Sequence, residues 1–273
     1  MTISIPYLKR MAIGLLHRGF SRFGRSSIAS DVNATIALLL PRPYNGEIVR
    51  IGGNSDGAYV LPEGAIRGLS ASISPGVSEE IDFDLHLGLL GIHSYMYDAS
   101  VTCPTRLTDM QHFEKLFIDT YNSGNTKTLT NIINEVSEQH TRDLLLQMDI
   151  EGAEYRCLQA TDVGKLGRFR VIVLEFHDLD LFLSNDLYCR YWIRPILKKL
   201  RVNHDVFHVH ANNYGHLTEV HGTQIPNVLE VTYLRRDHWP SQNQKPVDTR
   251  VLDIQNRSDR PPLELYSPWF DHL

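Results

Sequence analysis

Residues Leu144–Gln159 read LLLQMDIEGAEYRCLQ, and the fold turns on them. Leu144, Leu145, Leu146 and Met148 form an apolar run that ends in an acid, Asp149; Glu151, Gly152 and Glu154 follow, and the spacing then becomes helical. Such a run, ending in carboxylates, marks a buried parallel strand whose polar tip reaches the C-terminal edge of the sheet, where open α/β sheets bind ligands. Arg170–Asp178, RVIVLEFHD, repeats the pattern: a β-branched run followed by Glu175, His177 and Asp178. Two neighbouring strands with polar tips point to a site as well as a core.

Strands and helices alternate on either side. Leu69–Ser74 has a strand pattern, Glu79–Leu90 a helical one, and His93–Tyr97 is a strand ending at Asp98. Asp109–Ile118 and Thr128–Gln139 have helical spacing, the second with Leu129, Ile132, Ile133 and Val136 on one face. Downstream come a helix near Ala153–Gln159, a helix over Leu187–Leu200 kinked at Pro195, and strands over Asp205–His210 and Val228–Arg235. Before the alternation, Asp31 can N-cap a helix through Leu40, and short strands Glu47–Ile51 and Ala58–Leu61 flank the turn Gly52–Gly57. The expected fold class is α/β: a Rossmann-like, doubly wound, mostly parallel sheet. It divides into an N-terminal helical extension (1–45), the sheet domain (46–240) and a C-terminal surface tail (241–273).

The 273 residues carry a net charge of −5, without the basic footprint of a nucleic-acid binder. Cys103, Cys157 and Cys189 lack metal-type spacing; Cys157 and Cys189 sit in helical patterns and suit buried thiols in a reducing, cytoplasmic compartment. Lys9, Arg10, Arg18, Arg22 and Arg25 are interleaved with apolar residues, and no acid precedes Asp31. Met11–Leu16 is too short an apolar stretch to span a membrane. Residues 1–25 are therefore expected either to pack on their own domain or to touch an anionic inner membrane surface peripherally.

Three constellations carry chemistry. Ser72–Glu80, SISPGVSEE, lies between a strand and a helix, and Asp98 follows Gly76 by 22 residues. That spacing suits either a nucleotide-type turn with an acid for ribose hydroxyls, or a plain βα turn with Asp98 as a cap. Asp149, Glu151 and Glu154 with Glu175, His177 and Asp178 can shift one another's pKa values, bind a divalent cation or orient hydroxyls. Phe207–Tyr214, FHVHANNY, puts His208 and His210 on one strand face.

MDIEGAEYRCL, VLEFHDL, HVHANNYG and IPNVLEVTYLRR, in this order, resemble the FkbM-type methyltransferases; RIGGNSDGAYVLPE, SPGVSEEIDFD and YMYDAS extend the likeness over about Arg50–Arg236. The resemblance implies a class I methyltransferase type of Rossmann-like fold and an S-adenosylmethionine-dependent O-methyltransferase acting on a saccharide, glycolipid or natural-product hydroxyl. It implies that Gly76 and its neighbours, Ser74 among them, cradle the methionine part of the cofactor, that Asp98 holds the ribose, and that Asp149 lines the pocket near the methyl. The GxGxG of typical methyltransferases is absent. His177 is the first candidate base and His210 the second, beside Glu175, with a divalent cation as a further candidate cofactor. The rival readings are a metal-dependent hydrolase using Asp149, Glu175, His177, His208 and His210, and a non-catalytic scaffold that keeps the fold.

Overall fold

The computed structural model describes residues 25–78, 80–241 and 245–271. In chain order the elements are α1 (Ala29–Ile36), β1 (Ile48–Ile51), β2 (Tyr59–Pro62), α2 (Glu63–Ile66), β3 (Ala71–Pro75), α3 (Asp82–Leu89), β4 (His93–Tyr97) and β5 (Gln111–Glu114). Next come β6 (Phe117–Asp119), β7 (Thr126–Thr128), α4 (Leu129–Gln139), β8 (Leu144–Met148), α5 (Glu154–Ala160), α6 (Val163–Leu166) and β9 (Phe169–Phe176). The chain closes with α7 (Leu179–Ser184), α8 (Asp186–Tyr188), α9 (Arg194–Leu200), β10 (His204–Ala211), β11 (Leu217–Val220), β12 (Thr223–Pro226) and β13 (Leu229–Arg235).

Seven strands form one sheet in the order β10-β13-β9-β8-β3-β4-β5. All are parallel except β13, which runs antiparallel to β9 and β10. The chain winds outward from β3 to β5 and then returns to β8 on the other side of β3. The order therefore reverses between β3 and β8, compatible with a Rossmann-like fold and placing the ligand crevice at their C-terminal ends.

Every residue of β3 and β8 is buried. Leu144, Leu146 and Met148 pack into a cluster with Ile132, Ile133 and Val136 of α4, whereas Leu145 joins Val171, Val173, Phe83 and Phe207 in another. Burial on both faces is why this strand is apolar without alternation. Thr128 caps α4, its hydroxyl accepting from the Asn131 N–H at 3.2 Å.

Several local expectations are corrected. Residues 109–118 are not helical: Gln111–Glu114 is edge strand β5, paired in parallel with β4. Met110, Phe113 and Phe117 have helical spacing, but Gln111 docks the segment instead, its Nε2 donating to the Asp84 carbonyl at 3.0 Å. Leu187–Leu200 is helical throughout, as expected, but the irregularity is a π-helical turn over Cys189–Ile193, with Pro195 directly after it at the start of α9. The helix before β4 starts at Asp82, not Glu79. Asp31 is not the N-cap of α1 but lies in its first turn, where its carboxylate accepts from Arg194 at 2.8 Å and ties α1 to α9. The C-terminal segment does more than wrap the surface. Trp269 is fully buried and its indole N–H donates to the Gln224 carbonyl at 3.0 Å. Of residues 1–25, only Arg25 lies within the described residues.

Asp143, at the entrance to β8, accepts from both Arg235 terminal nitrogens at 2.9 and 2.7 Å and from Arg170 Nε at 3.1 Å. These bonds, led by Arg235, pull its pKa from 3.8 to about 2. A depressed folded-state pKa contributes stability that is present above pH 3.8 and lost as pH falls toward 2. Asp143→Asn should therefore cost about 2 kcal/mol at neutral pH and flatten the decline between pH 4 and 2, as measured by urea unfolding across pH.

Candidate active site

The tips of β3, β4 and β8 are laced together by backbone. Gly76 N–H donates to the Tyr97 carbonyl at 2.9 Å, and Asp149 N–H donates to the Pro75 carbonyl at 3.1 Å. Gly76 has φ +86°, and a Cβ built there would overlap the Asp149 carbonyl oxygen. The turn needs glycine for both reasons. Asp98 follows β4; its Oδ1 accepts from the Ser100 N–H and hydroxyl, each at 2.6 Å, so one carboxylate oxygen serves the turn. Ser74 is fully buried and faces α3, donating to Asp84 Oδ1 at 2.7 Å. Burial pushes Asp84 up to about 6.

Next to this turn, His177 is enclosed by carboxylates. Its Nε2 lies 3.4 Å from Glu175 Oε1, 3.7 Å from Glu151 Oε2 and 3.8 Å from Asp149 Oδ1; its Nδ1 lies 3.5 Å from Glu154 Oε1. His177 is 9 % exposed, Glu175 6 % and Glu154 0 %. Glu154 also accepts the Ile150 N–H at 2.7 Å, so it caps the β8–α5 turn while facing the imidazole. Burial pushes Glu175 well above the usual carboxylate range, with Asp149 adding to the effect. Burial likewise raises Asp149, against the pull of His177. Burial alone would lower His177, but Glu154, Asp149 and Glu175 override it and hold the imidazole well above its ordinary value. These carboxylates favour the protonated ring, so base chemistry there works against them.

A second row crosses three strands. Glu175 on β9 pairs in register with Glu230 on β13, which pairs with His210 on β10. Asn212 Nδ2 donates to Glu175, Glu230 and Asp56 at 3.3–3.4 Å, and Asn256 Nδ2 donates to Glu230 at 2.6 Å and Asp56 at 2.8 Å. Asp56 comes from the β1–β2 turn and Asn256 from the C-terminal segment. His208 and His210 do share a face, and both meet Asp253, at 2.9 and 3.4 Å. Asp149, Glu175 and His177 therefore share one network, whereas His210 belongs to the neighbouring one. Asp56, Glu230, Asp253 and Asn256 were not expected in the site from the sequence. Glu230 alone carried a signal, because an acid inside the apolar run of a central strand must find a partner.

Residues 102–216 match the family model for the methyltransferase FkbM domain. The match supports a methyltransferase enzyme, and that class draws its methyl group from S-adenosylmethionine. The match contains Asp149, Glu175, His177 and His210; Ser74, Gly76 and Asp98 lie upstream of it. No curated protein is similar enough to count as a relative.

Proposed function

We propose that the protein transfers a methyl group from S-adenosylmethionine to a hydroxyl of a saccharide, glycolipid or natural-product acceptor, in a class I type of Rossmann-like fold. The observation that carries this is the convergence of Asp149, Glu175 and His177 beside the glycine turn at the β3–β8 switch point. The tips fit the donor: a glycine turn sits where the sheet opens, and an acid ends the next strand. Gly76 shapes that turn, the segment from Ser74 lines it through backbone, Asp98 holds the ribose hydroxyls and Asp149 borders the reacting methyl.

Bound S-adenosylmethionine supplies an already activated methyl, so alignment and proton removal are what remain for the protein. The carboxylates around His177 favour positive charge in the crevice. With such charge beside them, the imidazole is favoured neutral. Neutral His177 then takes the hydroxyl's proton, Glu154 steadies the ring from its other side, and Glu175 balances the charge formed. His210, held by Asp253 and Glu230, stands in the adjoining row as the second candidate. The matched domain favours this over the hydrolase and scaffold readings.

The test is transfer of labelled methyl to a mixed glycan pool; no transfer to any hydroxyl acceptor overturns the reading. Asp98→Ala should weaken S-adenosylhomocysteine binding by about 1.5–3 kcal/mol, the worth of charge-assisted hydrogen bonds to a ribose. Calorimetry showing unchanged affinity removes Asp98 from the site.

The compartment is part of the same proposal: cytoplasmic, with residues 1–25 touching anionic lipid. No helix among the described residues is long and apolar enough to cross a membrane. The support for surface contact is the basic and apolar interleaving of residues 1–25. Unchanged flotation with anionic vesicles after their deletion would sink it.

A further inference from the structure

We propose that the tips of β8 and β9 form a divalent-cation site in which His177 Nε2 and the carboxylates of Asp149 and Glu151 are the ligands, with Glu175 beside them. The role of the cation rests on the methyl-transfer reading; its binding does not.

The spacing is the first ground. Around Nε2 the three carboxylate oxygens stand at 3.4, 3.7 and 3.8 Å. None makes a hydrogen bond to the ring. Tetrahedral bonds of about 2.0–2.2 Å to a first-row cation put neighbouring ligand atoms about 3.3–3.6 Å apart. The Asp149 and Glu151 oxygens stand from Nε2 at close to that spacing. One donor atom each from Asp149, Glu151 and His177 all lie within 4.8 Å of one another.

The second ground is the state of the imidazole. His177 is 9 % exposed, and its Nε2 faces the carboxylates without a hydrogen bond to any of them. Asp149 Oδ1 beside it is buried without a hydrogen-bond partner. Buried polar atoms are ordinarily satisfied, and one left short beside an unpaired imidazole nitrogen calls for a ligand there. The opposite side of the ring faces the fully buried Glu154 at 3.5 Å. A carboxylate behind Nδ1 is how a metal-binding histidine is oriented, with its other nitrogen presented to the metal.

The donor chemistry narrows the ion. One imidazole with two carboxylates suits manganese, iron or zinc better than calcium or magnesium, which favour all-oxygen shells. The proposal also changes the part played by His177. A ring whose Nε2 holds a cation does not take a proton, and the cation acidifies a hydroxyl that reaches it.

The test uses the full chain stripped with chelator and titrated with Mn2+, followed by electron paramagnetic resonance. One saturable site per chain is expected, with a nitrogen coupling from the bound imidazole. Glu151→Gln alters a carboxylate that is 85 % exposed and leaves the core untouched. It should weaken Mn2+ about tenfold or more, the lower end of what orienting partners alone contribute. His177→Gln should remove the nitrogen coupling. No saturable binding at millimolar Mn2+, binding without nitrogen coupling, or undiminished affinity in Glu151→Gln overturns the site. Calorimetry with S-adenosylhomocysteine on the same stripped protein separates the two readings. Cofactor binding without Mn2+ binding removes only the cation site; Mn2+ binding without cofactor binding leaves the cation site and removes the methyl-transfer reading.

Discussion

Gly76→Ala should destabilise the chain by about 2–5 kcal/mol and abolish S-adenosylhomocysteine binding, because two penalties add there. The first is conformational: φ is +86°, where an L side chain meets its own carbonyl. The second is steric. The new methyl would overlap the Asp149 carbonyl oxygen and come within 3.0 Å of Ile150 Cγ2. The oxygen is backbone and cannot rotate away, so β3 and β8 must separate at the point where the crevice opens. Gly152→Ala is the control. Its φ is +91° but nothing lies within 4 Å of the added Cβ, so only the conformational cost of about 1–2 kcal/mol applies. Urea midpoints of the two variants check the difference. Equal losses would mean that the close approach of β3 to β8 carries no weight.

That contact also shows what sequence could and could not convey. The run Leu144–Met148 announced a strand buried on both faces, and Glu175 and His177 announced a polar tip, because an unbroken apolar run followed by acids has few other uses in an α/β sheet. Edge strand β5 was hidden because Met110, Phe113 and Phe117 keep a helical spacing while its backbone pairs with β4. The ribbon β11–β12 carried no clear period and was not anticipated. The second row was hidden for a different reason. Asp56, Glu175, Glu230 and Asn256 are joined only by register across β9 and β13 and by the β1–β2 turn and C-terminal segment folding over the sheet edge. Nothing local in a turn or a tail says that it will supply an acid or an amide to a site some 200 positions away. The upward shift of the His177 pKa was equally invisible, since it depends on four carboxylates arriving from one loop, a helix and a strand.

His177→Ala should lower the single-turnover rate of methyl transfer by about 10²–10⁴-fold, the range for losing a group that assists proton removal. Affinity for S-adenosylhomocysteine should change far less, because Gly76 and Asp98 follow β3 and β4 rather than β9. Truncation also leaves Asp149, Glu151 and Glu175 facing one another without the imidazole between them. Part of the cluster should then take up protons, and some stability should be lost through repulsion. The rate must therefore be read at a temperature where circular dichroism shows the variant folded. His210→Ala is the matched comparison. It unsettles Asp253 and Glu230 in the adjoining row but leaves all four carboxylates around His177 in place. A large loss for His177→Ala with a small one for His210→Ala assigns proton removal to the β8–β9 tips; the reverse order moves it to the β10–β13 row. Mn2+ dependence then distinguishes the two ways His177 can serve. Loss of both rate and Mn2+ affinity marks the ring as a ligand, whereas loss of rate with Mn2+ affinity intact marks it as the base.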